Sequence, residues 1–102
     1  MFGDMFGNME EKQQEMRKRL AEITVEGTAG DGAVVARANG NREIVNISIR
    51  QDAIDPADLE QLEDLIVVAV NRALEEALAT EARETENLLK DMMPPGFGNL
   101  FG

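Results

Sequence analysis

A chain of 102 residues with ten bases, twenty acids, no cysteine and no histidine carries a formal charge of -10 and commands a narrow chemistry. The missing cysteines exclude disulfides, thiolate nucleophiles and Cys-based zinc sites; the missing histidines remove the usual general base and the commonest nitrogen ligand for a metal. An enzyme would have to work with carboxylates, lysine and arginine, and a domain this small buries a smaller share of its surface than a larger one, which favours a subunit partner.

The charge is unevenly spread. Residues 1–22 hold five acids and four bases, residues 23–50 three of each, and residues 51–102 twelve acids against three bases. Such a field repels nucleic acid at long range, so any contact with DNA needs local basic groups. The start, Met1–Asn8, has neither the basic stretch nor the apolar core of a signal peptide, and no apolar run approaches the roughly 18 residues of a membrane span. A soluble, cytoplasmic protein is expected.

In chain order, Met9, Met16, Leu20 and Ile23 fall on one stripe of a 3.6-residue period with Glu, Gln, Lys and Arg between them, which predicts an amphipathic helix over about 7–22. Thr24–Glu26 reads as a short strand. Gly27, Gly30 and Gly32 then suit a loop with positive φ. Val34, Ala36 and Ala38 alternate with Val35 and Arg37 in a second strand, and Val45, Ile47 and Ile49 alternate with Asn46 and Ser48 in a third, so one face of the hairpin is apolar. Asn39-Gly40 or Gly40-Asn41 forms the turn between them. The two choices differ by one residue of register, enough to flip a strand's side chains.

Asp55-Pro56 has the form of an N-cap followed by proline at the first helical position, with Asp58, Glu60, Glu63 and Asp64 near the positive end of the helix dipole. From Leu59 to Leu78 apolar residues recur at steps of three and four, and nothing interrupts the pattern before Pro94-Pro95-Gly96. A helix over 57–91 spans roughly 50 Å at about 1.5 Å per residue, against a radius of gyration of about 13 Å for a compact domain of 100 residues. Its distal part, Thr80–Asn87, is polar nearly all round, so it projects as an arm or lies along another subunit.

Several chemistries fail on spacing. The three glycines lead into a hairpin, with no GK[ST] and no helix N-terminus to cradle a phosphate. Asp52, Asp55 and Asp58 lack the twelve-residue spacing of an EF-hand and are better explained by helix capping. No metal, cofactor or catalytic constellation is expected. Arg17, Lys18 and Arg19, with Lys12 upstream, form the only basic cluster, readable as a solvated helix face or as a set of phosphate contacts. All four phenylalanines lie near the ends, at positions 2, 6, 97 and 101, which marks 1–7 and 94–102 as flexible Phe-Gly tails.

The ordered set of Gly30-x-Gly32-Ala-Val-Val, Asn39-Gly40, Ile44-Val-Asn-Ile-Ser-Ile49, Asp55-Pro56, Leu62-Glu-Asp-Leu-Ile-Val-Val-Ala-Val-Asn-Arg-Ala-Leu74 and Pro94-Pro-Gly-Phe97 resembles the YbaB/EbfC family of bacterial nucleoid-associated proteins. The likeness covers nearly the whole chain as one domain, 1–102. It implies an α+β fold of order α-β-β-β-α, with a small antiparallel sheet, an N-terminal helix and a long C-terminal helix. It also implies a homodimer whose helices protrude like tweezers around duplex DNA in the nucleoid. Carried over to this chain, the family's DNA contacts fall on Lys12, Arg17, Lys18 and Arg19 of the first helix and on Arg83 and Lys90 of the last. Glu81, Glu84, Glu86 and Asp91 surround the latter two, so binding is expected to be weak and steeply salt-dependent. The competing expectation is an acidic homodimeric scaffold that engages another protein through its arms and tails and has little or no affinity for DNA.

Overall fold

The computed structural model describes residues 2–92, with side chains over 7–91. The order is α1 (Phe2–Glu22), β1 (Thr24–Ala29), β2 (Val34–Asn39), β3 (Ile44–Ile49), a single 3-10 turn at Gln51–Ala53, and α2 (Leu59–Met92). The three strands form one antiparallel sheet in the order β1-β2-β3. This is the expected α-β-β-β-α arrangement. Helix α1 begins at Phe2, earlier than the hydrophobic stripe suggests; the tail 94–102 lies outside the described residues. The radius of gyration is 19.0 Å and the longest extent 64 Å, well beyond the roughly 13 Å radius of a compact chain of this length, because the 34-residue α2 outruns the sheet it lies on.

Strand β1 is longer than its β-branched residues suggest, and Gly27 lies inside it, opposite Ala36. The physical reason is the helix. A Cβ at position 27 would overlap the backbone of Ala69 and Ala73 and come within 2.8 Å of the carbonyl carbon of Arg72. Only glycine permits α2 to approach β1 this closely. The helix meets the sheet through Ala69, Ala73 and Ala77, packed on Ala29, Val34, Ala36 and Ala38. Arg72 fastens the crossing by donating from Nη1 to the carbonyl of Thr28 at 2.7 Å. Gly30 and Gly32, by contrast, do take positive φ, 62° and 88°, with Asp31 at 54° between them, and build the β1–β2 connection as expected.

The β2–β3 connection differs from either two-residue turn. Arg42 N donates to Asn39 O and Asn39 N to Glu43 O, closing a three-residue loop, Gly40–Arg42, with Arg42 in the left-handed region at φ 63°. This is the alternative hairpin in which a type I turn is followed by one left-handed residue. Gly40 is needed for room instead: a Cβ there would lie 2.8 Å from the carbonyl oxygen of Leu20, to which Gly40 N donates at 2.8 Å. Longer by a residue, the loop feeds a bulge in β3. Ile49 and Ile47 face Val34 and Ala36, but Ala38 pairs with Ile44, leaving Val45 without a partner. The apolar row of β3 is therefore Ile44, Ile47 and Ile49, where alternation alone points to Val45.

The start of α2 is also displaced. Asp55 closes a turn, accepting from Ala57 N at 2.9 Å, and Asp58 supplies the cap, accepting from Gln61 N at 3.1 Å. Pro56 sits in the turn before the helix, which begins at Leu59. Asp58 therefore acts as the cap itself, beyond the favourable dipole position that its spacing from Asp55 predicts.

The outcome is a core built of small residues with large ones left outside. Val34 is the largest fully buried side chain, while Ile44, Val45, Ile47 and Ile49 of β3 and Leu59, Val67, Val68 and Leu78 of α2 are exposed. Helix α2 covers β1 and β2 but scarcely reaches β3. Gly27→Ala is expected to destabilise the fold by about 3 kcal/mol, because the new methyl meets helix backbone that has no room to yield. A thermal melt checks it: the midpoint falls by more than about 10 °C, and an unchanged midpoint would contradict the close crossing.

Candidate nucleic-acid interface

The basic residues picked out by sequence lie on α1 and the outer half of α2. Successive helical residues are turned by about 100°, so Arg17, Lys18 and Arg19 cannot share one face. The structure distributes them accordingly. Lys12 and Arg17 line an open groove of about 730 Å³ between α1 and α2, floored by Met9, Met16, Leu20, Leu88 and Leu89. Arg19, seven residues after Lys12 and so on the same side of α1, shares a second pocket with it, Leu88 and Asp91, and also lines a cleft with Glu84, Lys90 and Asp91. Lys18 is exposed. Arg83 donates from Nη2 to Thr80 Oγ1 at 3.2 Å, and Lys90 pairs with Glu86, one turn earlier, at 3.5 Å. Lys12 and Arg19 thus share one flank of α1 and Arg17 takes the other, with Lys18 exposed between them on the outer face, so the linear cluster is not one patch.

The β2–β3 loop adds two polar residues to the groove. Asn41 and Arg42 line it beside Lys12 and Arg17, and Asn41 Nδ2 donates to the carbonyl of Arg17 at 2.9 Å. Asn39 organises the loop from below: its Oδ1 accepts from Asn41 N at 2.9 Å and Glu43 N at 3.2 Å, and its Nδ2 donates to Glu43 Oε1 at 2.9 Å. Sequence reasoning missed Arg42 because it sits in an electrically balanced hairpin. The one clue was its place two residues after Gly40 of the turn signal; that the loop docks on the end of α1 is a tertiary fact.

Acids of α2 answer these bases. Glu81 approaches Arg42 at 3.2 Å and Glu84 approaches Arg19 at 3.7 Å. The four acids named around the distal bases are therefore not passive: two of them reach across to the rest of the molecule and one holds Lys90. All these pairs are at least partly exposed to solvent, where an ion pair contributes about 0–1 kcal/mol. Their importance is as competitors for whatever anion the bases would otherwise meet.

Among the described residues no group of three or more acidic side chains is placed to hold a metal ion, and no helix is long and apolar enough to cross a membrane. The outer face of the sheet is polar and solvated, with Arg37 donating to Glu26, Asn46 and Ser48 at 3.1, 2.9 and 3.1 Å. What the arrangement offers is two helices flanking a groove with basic edges.

Comparison with known proteins agrees with this architecture. The chain is 38% identical over 98 residues to a nucleoid-associated protein of Chloroflexus aggregans, covering 96% of this chain and 90% of that one. It is 44% identical over 82 residues to a nucleoid-associated protein of Moorella thermoacetica, covering 80% and 79%. Among solved structures, the crystal structure of uncharacterized protein HP0035 from Helicobacter pylori superposes with a TM-score of 0.62 at 18% identity, over 87% of this chain and 99% of that one. That likeness bears on the fold alone. The profile of one family matches residues 1–92, which takes in all that the structure describes, and the chain belongs to that family, the YbaB/EbfC DNA-binding family.

Proposed function

We propose that this protein binds duplex DNA in the bacterial nucleoid as a homodimer, without catalysis, through phosphate contacts and the shape of the duplex. The observation that carries the reading is family membership over residues 1–92, joined to a geometry in which α1 and the outer half of α2 flank an open groove with Lys12 and Arg17 at its edge. Lys12, Arg17, Lys18 and Arg19 on α1, with Arg83 and Lys90 on α2, are the phosphate contacts in this reading. Helical arms carrying separated bases suit a ligand with charge along its whole length, and contacts to phosphate carry no base sequence. The excess of acid makes the affinity low, and the salt dependence follows the number of phosphates that the bases neutralise.

Dimerisation is supported by what the monomer leaves uncovered. Strand β3 is a sheet edge with open hydrogen-bonding groups, and its apolar row lies on the helix-bearing face of the sheet, beyond the part that α2 covers. Ile44, Ile47 and Ile49 are 38–40% exposed there, and Val67 and Val68 on α2 are exposed as well. A second copy related by a two-fold axis covers edge and row together. A second reading, an acidic scaffold for another protein, draws on the pairing of Arg19, Arg42 and Lys90 with acids of α2, which leaves fewer bases for DNA.

Two experiments decide. In a fluorescence titration at low salt, wild type binds duplex DNA. Replacing Arg17, Lys18 and Arg19 by alanine lowers the affinity by tenfold or more, and the log–log salt slope flattens by about 1 for each phosphate the variant no longer neutralises. Failure of the wild type to bind at low salt favours the scaffold. In sedimentation at micromolar concentration the wild type is a dimer, and Ile47→Glu weakens association at least tenfold, about 1.4 kcal/mol; a stable wild-type monomer refutes the dimer.

A further inference from the structure

We propose that Arg42 is an additional phosphate contact of the groove, held by Glu81 in the free protein and handed over to DNA on binding. The inference rests on the DNA-binding reading above and adds both a residue and a control element to it. Three independent observations meet at this side chain.

The first is position. Arg42 lines the same groove as Lys12 and Arg17, and its loop is fastened to α1 by Gly40 N on the Leu20 carbonyl at 2.8 Å and by Asn41 Nδ2 on the Arg17 carbonyl at 2.9 Å. The guanidinium is carried on an anchored base beside the α1 cations.

The second is backbone. Arg42 has φ 63°, in the left-handed slot of a three-residue hairpin loop, where glycine is the unstrained choice. Arginine offers the backbone nothing here, and the strain of such positions concentrates at sites where a side chain is used. The glycine of this loop stands two residues earlier, at 40, where close approach to Leu20 requires it.

The third is the partner. Glu81 Oε2 lies 3.2 Å from Arg42 Nε, with the two side chains 35% and 53% exposed. A pair this exposed is weak and exchangeable, whereas guanidinium and phosphate match in a two-pronged, charge-assisted geometry. Glu81 also lines the groove, so a phosphate arriving at Arg42 displaces a carboxylate already there. In the free protein the pair masks the charge; in the complex the carboxylate is released to solvent.

A double-mutant cycle on duplex-DNA affinity at low salt tests this, with melts of every variant. Arg42→Ala weakens binding severalfold and flattens the salt slope by about 1. Glu81→Gln tightens binding by about two- to fivefold, more than Glu76→Gln, which removes the same charge from another exposed position on α2. The gain from Glu81→Gln disappears in the Arg42→Ala background. Arg42→Gly, relieving the backbone, raises the melting midpoint while lowering affinity, a divergence that a purely structural arginine would not produce. If the wild type binds DNA but Arg42→Ala binds equally well, or Glu81→Gln matches Glu76→Gln, the inference is overturned while the DNA-binding reading survives. If the wild type fails to bind at low salt, both fall.

Discussion

The closeness of α2 to β1 is the constraint from which the rest of the structure follows. Gly27 has no room for a Cβ against the helix backbone, and Ala69, Ala73 and Ala77 present the smallest side chains that still exclude water. Bringing backbone near to backbone makes a thin layer with little apolar area per residue, so it gains less from the hydrophobic effect than a core of leucines would. It fixes the course of α2 over β1 and β2 instead. Because the helix is committed to those strands, β3 is left uncovered, and the large aliphatic residues of β3 and of the free side of α2 are exposed. The uncovered aliphatic surface is thus a consequence of how the monomer packs.

The same crossing determines where charge meets charge. Past the sheet, α2 runs on beside α1, and its acids at 81 and 84 come level with Arg42 on the β2–β3 loop and Arg19 on α1. A net charge of -10 describes the far field, which steers approaching molecules. Contact is governed by local pairs, exposed and individually weak, which an incoming polyanion can exchange. The acidic surplus thus acts at two ranges, as a far field and as short ion pairs with Arg19, Arg42 and Lys90, and salt weakens both.

Much of the fold was legible in particular residues. The stripe of Met9, Met16, Leu20 and Ile23, the alternation through Val34–Ala38, and the unbroken period from Leu59 onward each follow from local repeat, which depends on neighbours a few positions away. Errors arose where a residue's role depends on something distant. Gly27 and Gly40 look like turn glycines but are needed for contact with α2 and α1. Asp55 looks like the cap but closes the turn before it, because Asp58 stands at the position where the helix begins. Val45 alternates correctly on paper, yet the longer loop inserts a bulge and gives its place to Ile44.

The candidate interface divides in the same way. Composition, charge distribution, the order of elements and family likeness were determined by the sequence itself, because they depend on residue identity and short-range periodicity alone. Which bases share a surface was decided only in three dimensions. Helical rotation separated Arg17, Lys18 and Arg19; docking of the β2–β3 loop on α1 brought Arg42 into the groove; and the passage of α2 set Glu81 and Glu84 against their partners. The last two relations join residues tens of positions apart, through the hold of the β2–β3 loop on α1 and the tight seat of α2 on β1, which no local pattern encodes.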